Sequence, residues 1–189
     1  KKVATIGAGN VAMDAARTAR RLGAAEVEAV CLESRPEMPA HTWEIEEAEE
    51  EGIHVHNSWG PKEIIGRDGR VMAIEFMKCT SVFDQDHKFN PVYNPEITTR
   101  IDCDAVIIAI GQATDLAILP PEIGVKTTRG GLIIVDPVTL ATDEEGIFAG
   151  GDTVSGPKSA VEAIAQGHEA AISIERYLNG LDMKKDRVK

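Results

Sequence analysis

The strand-to-helix turn near the start of the chain constrains the fold more than any other feature. Val3-Ala4-Thr5-Ile6 is a short apolar run that passes directly into Gly7-Ala8-Gly9-Asn10-Val11-Ala12. Val11, Ala15, Ala19 and Leu22 then recur at helical spacing, and Gly23 follows where a helix C-cap belongs. Val27 to Leu32 is a second buried strand, residues 41 to 51 form an acidic helix stopped by Gly52, and Ile53 to His56 make a third strand. Such a βαβαβ unit predicts an α/β fold, a Rossmann-like doubly wound parallel sheet. Gly7 permits the tight turn, Gly9 lets backbone approach a ligand with no Cβ in the way, and Ala12 lets the helix pack close to the sheet. The helix-start amides and positive dipole end then hold phosphate oxygens. A glycine pattern alone is weak evidence. Between a strand and a helix of a βαβ unit it predicts a dinucleotide pyrophosphate at Gly7, Gly9, Asn10, Val11 and Ala12.

Glu33 comes at the end of the second strand, where an acid accepts hydrogen bonds from the adenosine ribose hydroxyls and repels a 2'-phosphate. Arg35, beyond Ser34, is able to pair with such a phosphate instead. Glu33 lies nearer the strand end, so NAD(H) is favoured over NADP(H), with Glu33, Ser34 and Arg35 as the discriminating stretch. Asp14, on the helix after the turn, reaches either the nicotinamide carboxamide or a surface partner at Arg17 or Thr18.

The texture then changes. Lys62 to Ile65, Val71 to Lys78 and Thr98 to Cys103 are strand-like, with turn signals at Arg67-Asp68-Gly69 and around Asp84-Gln85-Asp86. They predict an antiparallel meander over 62–104, inserted before the sheet resumes at Ala105 to Gly111 as a continuous apolar run buried on both faces. Residues 1–111 thus form the nucleotide-binding domain. Beyond it the chain is loop-rich, with short strands at Leu132 to Val135 and Gly146 to Ala149. A helix from Ser159 to Leu178 follows, amphipathic through Val161, Ile164, Ala165, Ala171, Ile172 and Tyr177, and then a frayed charged tail from Lys184 to Lys189.

Composition narrows the function. A net charge of -11 argues against nucleic acid and against anionic membrane surfaces. Much of it lies in Glu44, Glu46, Glu47, Glu49, Glu50 and Glu51, read as a solvated helix face or else an acidic docking surface. No apolar run approaches the ~20 residues that cross a bilayer, and Lys1-Lys2 leads straight into a strand with no signal peptide. Cys31, Cys79 and Cys103 are widely spaced and outside any C-x-x-C pair, which predicts free thiols, a cytoplasmic setting and no iron–sulfur or zinc ligation. His54 and His56 share a strand face without a third ligand, so no metal is expected; Trp43 and Trp59 are expected to pack. No residue has the setting of an acid–base catalyst, which fits hydride transfer between positioned rings.

Longer motifs then carry a resemblance. Gly7-Ala8-Gly9-Asn10-Val11-Ala12-Met13-Asp14-Ala15-Ala16-Arg17, Ser34-Arg35-Pro36-Glu37-Met38-Pro39-Ala40, Ala105 to Gln112, and Gly150-Gly151-Asp152 through Gly156-Pro157 to Val161-Glu162-Ala163-Ile164 resemble flavoproteins typified by the glutamate synthase small subunit, within the pyridine nucleotide-disulfide oxidoreductases. The likeness spans almost the whole chain in the correct order. It implies an oxidoreductase in which a nicotinamide coenzyme passes hydride to FAD, and FAD passes electrons to iron–sulfur clusters or other acceptors. Residues 112–189 are then the C-terminal part of an FAD-binding domain. Gly111, Gln112 and Gly151 join the cofactor-binding set, Asp152 hydrogen-bonds the FAD ribityl chain, and backbone at Ser159, Ala160 and Val161 faces the flavin pyrimidine edge. Read alone, Gly150-Gly151-Asp152 is a strand-end turn with a helix-capping Asp.

Two departures from the family pattern matter. Leu32-Glu33 stands where NADP-type members carry an arginine pair, which adds to the NAD(H) expectation. The FAD glycine turn and the cysteine-rich segment of the family's N-terminal region are absent from this sequence. The chain, which opens without a methionine, is therefore expected to be a piece of a larger enzyme. Its expected partners are an N-terminal FAD-binding and iron–sulfur region or subunit and a redox protein. By itself it would turn over little. The alternative is a non-catalytic NAD-binding sensor or structural module.

Overall fold

A computed structural model describes residues 1–187 of the chain. It divides into two compact units, Lys1–Gly111 and a second from Gln112 onward.

The first unit runs β1 (Lys2–Ile6), α1 (Asn10–Arg21), β2 (Glu26–Val30), a 3-10 turn (Arg35–Glu37), α2 (Thr42–Glu50), β3 (His54–His56), β4 (Trp59–Arg67), β5 (Arg70–Phe83), β6 (Phe89–Asp102) and β7 (Ala105–Ile108). The parallel sheet has the order β3-β2-β1-β7, with Val3 beside Val27 on one side and Ala105 on the other. β4, β5 and β6 form a separate antiparallel sheet.

Both faces of the parallel sheet are covered, which is why β1 is apolar at consecutive positions rather than alternate ones. Val3, Val27 and Ala29 pack with Ala12, Met13 and Ala16 of α1 and with Ile45 and Ala48 of α2. Ala4, Ile6 and Val30 face the other way, against Ile74 and Phe76 of β5 and Cys103. Phe76 is fully buried there, an apolar contribution of about 2–3 kcal/mol. Thr5, also fully buried, has an Oγ1 without a hydrogen-bond partner.

Three acids in and just after α2 pair with α1. Arg17 pairs with Glu47 at 2.7 Å, Glu51 at 2.8 Å and Glu44 at 3.4 Å, and Arg21 joins it on Glu51. Hydrogen bonds from Arg21 and Arg17 hold the Glu51 carboxyl down at about 2. At the sheet edge, His54 and His56 both hydrogen-bond to Glu28 of β2.

Several elements differ from what periodicity predicts. The buried side of α1 is Ala12, Met13 and Ala16; Val11 is 72% exposed and Leu22 84%. Two alanines and one long, unbranched Met13 fill the space between helix and sheet. β6 begins at Phe89 rather than Thr98, because Pro91 and Pro95 mask an edge strand. The pairing register jumps between Met77↔Thr98 and Lys78↔Asn94, so Pro95 lies in a bulge where its missing N–H costs no ladder bond. β7 ends at Ile108, short of Gly111. Trp59 packs on the second core with the Lys78 ammonium 4.9 Å from its ring, whereas Trp43 is 55% exposed and stacks on His41. The three cysteines are free and buried, and burial pushes the Cys31 thiol up to about 12.

The second unit holds a 3-10 turn (Pro121–Ile123), a short helix α3 (Asp152–Ser155) and α4 (Ala160–Leu178). The strands expected at 132–135 and 146–149 are single bridges, Thr127↔Ile133 and Ala141↔Phe148, too little pairing for a ladder. α4 is capped at Ser159, whose hydroxyl accepts the Glu162 N–H while the Glu162 carboxylate accepts the Ser159 N–H. Its apolar stripe lies open: Val161, Ile164 and Ile172 are exposed, and Ser173 is the buried residue. The tail expected to fray is pinned as far as Arg187, which donates to Ser173 Oγ at 2.7 Å, Val138 O at 2.8 Å and Glu169 O at 3.0 Å. Val188 and Lys189 lie outside the described residues.

Candidate functional site

The first candidate site is built where β1 ends. Gly7 N–H donates to Val30 O of β2 at 3.0 Å, and Ile6 O accepts Ala109 N–H at 2.8 Å, so the turn is clamped between two strands. Gly7 sits at φ +141, and a Cβ there would stand 2.2 Å from Ala109 O and 3.2 Å from the Ala12 methyl. Only glycine fits this crossing. Gly9 differs: its φ of -88 suits any residue, and a Cβ there would meet nothing within 4 Å. The space over Gly9 is open. Ala12 and Met13 are the first helix residues whose N–H groups find a carbonyl, that of Gly9, leaving those of Asn10 and Val11 without one among the described residues. Open space over two free amides at the positive end of a twelve-residue helix suits a phosphate anion.

The loop after β2 is hooked onto this turn. Ala40 N–H donates to Ala8 O at 3.0 Å, and His41 N–H donates to Asn10 Oδ1 at 2.9 Å. The Asn10 side chain is therefore a structural hook for α2, a role its place in the glycine motif does not signal. Glu33 lies three residues past the end of β2, not at its end. Its carbonyl is fixed by Ser58 N–H at 3.0 Å and Asn57 Nδ2 at 3.1 Å. Its carboxylate pairs with nothing among the described residues, and its charge is felt in the antiparallel sheet. There burial, reinforced by the Glu33 charge, raises the thiol of Cys79 and the phenol of Tyr93. Ser34 is occupied by Glu37: its N–H and hydroxyl both bond that carboxylate, which lowers the Glu37 pKa. The Arg35 guanidinium turns to α2 and grips Glu49 with both terminal nitrogens, Nη2 to Oε2 at 2.8 Å.

Asp14 meets neither Arg17 nor Thr18. It lines a shallow groove of about 450 Å³ with Val11, Ala15, Ala19, Leu22 and Ile107. Gly111 follows β7, with φ +92, and is exposed; Gln112, also exposed, opens the second unit.

The second unit brings the other predicted residues together. Gly151 N-caps α3 and donates to Gln166 Oε1 of α4, a contact no local motif announces. Asp152 is exposed and begins α3, its carboxylate accepting the Lys158 N–H at 3.3 Å just before Ser159. Asp152 thus ties the starts of α3 and α4 together, with Ala160 and Val161 exposed at the first turn of α4. The Ser159 hydroxyl is committed to the Glu162 capping box and is not free for a ligand.

The model of one family, "Pyridine nucleotide-disulphide oxidoreductase", matches residues 1–167. The chain belongs to that family. Its relatives include the NADP(+)-dependent formate dehydrogenase subunit beta of Moorella thermoacetica, 45% identical over 94% of this chain and 25% of the relative. The NADPH-Fe(3+) oxidoreductase subunit beta of Geobacter sulfurreducens is 33% identical over 94% of this chain and 30% of its own length. The glutamate synthase [NADPH] small chain of Azospirillum brasilense is 34% identical over 94% and 37%. The chain thus spans well under half of each of these relatives. Among solved structures, T. acidophilum thioredoxin reductase superposes with a TM-score of 0.76 at 24% identity, over 95% of this chain and 53% of that one. That likeness carries the fold, and the expected Rossmann-type architecture and the resemblance to the glutamate synthase small subunit both hold.

One expectation is overturned. The preference for NAD(H) drawn from Glu33 fails, because these three relatives are named for NADP(+) or NADPH. The physical reason is in the loop: Glu33 lies three residues past β2, and the neighbouring Asn57 and Ser58 hold its carbonyl rather than its carboxylate, so its nearness to the strand in sequence does not fix where the acid is presented.

Proposed function

We propose that this chain is the NADP(H)-binding part, with an attached flavin-domain segment, of a longer oxidoreductase that passes hydride from NADPH to FAD. The open cradle over Gly9, with the Asn10 and Val11 amides free, is the observation that carries the reading. Those amides would hold the coenzyme pyrophosphate, and the small Ala12 lets the helix that carries them pack close to the sheet. Arg35 is the 2'-phosphate ligand, since it is the one guanidinium or ammonium between Cys31 and His41. Gly111 and Gln112 border the coenzyme beyond β7.

Residues 112–189 contribute to an FAD-binding domain. The loop from Gly151 to Val161 fits part of FAD: an exposed carboxylate at Asp152 suits ribityl hydroxyls, and the first amides of α4 suit a carbonyl edge. No second phosphate cradle occurs among the described residues, so the remaining contacts come from sequence outside this chain. FAD, when bound, accepts the hydride and releases electrons singly to iron–sulfur or other acceptors. The three free, buried thiols support a reducing, cytoplasmic setting.

The test is the full protein. It should purify with flavin absorbance, reduce a dye with NADPH, and bind NADPH more tightly than NADH. Arg35→Ala should weaken NADPH by about tenfold or more, the worth of a charge-assisted contact. A colourless full-length protein would sink the flavin half, and equal NADPH binding by Arg35→Ala would remove Arg35 from the site.

A further inference from the structure

The loop that follows β2 presents one strong cation, and that cation is already taken. Arg35 holds both Glu49 oxygens in a two-pronged pair, with the side chains 39% and 42% exposed. Glu46, one turn earlier on α2, adds to the negative field around the guanidinium. Glu49 takes the end-on pair of N–H groups on the two terminal nitrogens, and a 2'-phosphate that binds the guanidinium end-on needs that same pair. From Cys31 to His41 the remaining charges are Glu33 and Glu37, so no other fixed cation stands in for Arg35. Nor does the segment hooked beneath it supply one, because Asn57 and Ser58 are neutral.

We propose that Glu49 is a specificity-determining residue that competes with the coenzyme 2'-phosphate for Arg35 and so sets how strongly NADPH is preferred. This rests on the reading of Arg35 as the phosphate ligand. In the free protein Glu49 holds the guanidinium down against α2. Binding of NADPH exchanges one oxyanion for another, and the affinity observed is the difference between the two pairs. NADH makes no such exchange and leaves Arg35 on Glu49. The shape of the loop does not depend on the pair, since Ala40, His41 and the Glu33 carbonyl are anchored separately.

Calorimetric titration of the full protein with NADPH and with NADH, on wild type, Glu49→Gln, Arg35→Ala and the double variant, decides it. Glu49→Gln keeps the side-chain shape and removes the charge. It should tighten NADPH by about two- to fivefold, the worth of an exposed ion pair, and leave NADH unchanged. On the Arg35→Ala background the same change should do nothing. If Arg35→Ala weakens NADPH but Glu49→Gln leaves it unchanged, weakens it, or tightens NADH equally, the competition is wrong while Arg35 stands as the ligand. If Arg35→Ala leaves NADPH binding intact, the reading of the site itself fails, and the competition with it.

Discussion

Alanine at Gly7 and alanine at Gly9 should have opposite consequences, although the two glycines belong to one motif. At Gly7 the new Cβ would lie 2.2 Å from Ala109 O, roughly an ångström inside normal contact, and 3.2 Å from the Ala12 methyl. Neither neighbour yields easily: Ala109 is tied to β1 by its bond to Ile6 O, and Ala12 is fully buried. Overpacking of this kind costs about 1–3 kcal/mol, and a φ of +141 in a residue with a side chain adds about 1–3 more. A loss of about 4 kcal/mol, at an m-value of about 2 kcal/mol/M, moves the urea midpoint of the first unit down by about 2 M. At Gly9 the φ is ordinary and the space is open, so only a weaker N-cap is lost, below about 1 kcal/mol. Gly9→Ala should instead weaken NADPH at least tenfold, because its methyl enters the space the pyrophosphate needs. Urea denaturation followed by Trp59 fluorescence and NADPH titration read the two effects separately. A Gly7→Ala protein with the wild-type midpoint would refute the close crossing, and a Gly9→Ala protein that binds NADPH normally would refute the cradle.

Three further outcomes are expected. Thr5→Val should raise stability by about 1 kcal/mol in urea denaturation, because it replaces a buried hydroxyl without a partner by a methyl of the same shape; a loss would show that the hydroxyl is satisfied. Glu51 is held near 2 by Arg21 and Arg17, below its usual 4.5, so its contribution is complete above pH 4.5 and disappears as the pH falls towards 2. Thermal melts across that window should fall less steeply for Glu51→Gln than for wild type, and parallel slopes would contradict the pairing. Cys31, with its thiol pushed up to about 12 by burial, should resist iodoacetamide at pH 8 in the native protein and react once unfolded, as mapped by mass spectrometry; rapid native labelling would place it at the surface.

What was legible in the sequence was local. β1, the turn, α1 and β2 are encoded within a few residues of each other, and the Gly7 and Ala12 roles follow from a turn whose geometry allows few residue types. The buried side of α1 was not legible from hydrophobicity, because Val11 and Leu22 outweigh alanines on any such scale while the residues that face the sheet are Ala12, Met13 and Ala16. β6 was hidden by Pro91 and Pro95, which argue against a strand unless the bulge and the free edge are known. The tail at Arg187 is held by Val138 and Glu169, partners far away in sequence that no local pattern announces.

The coenzyme preference failed to read out for a deeper reason. The proposed phosphate cradle is made by backbone, so its position follows from the path of β1 and from Gly7, and a short motif encodes that path. The residues from which coenzyme choice was read, Glu33, Ser34 and Arg35, are side chains on a loop, and their surroundings are set elsewhere. Asn57 and Ser58 fix the Glu33 carbonyl, Glu37 occupies Ser34, and Glu49 draws Arg35 to α2. Proximity of Glu33 to the strand end in sequence therefore says little about what its carboxylate faces. On the proposed reading, changes at positions 35 and 49 should alter coenzyme choice without disturbing the turn, whereas a change at Gly7 should disrupt the turn itself before any effect on choice.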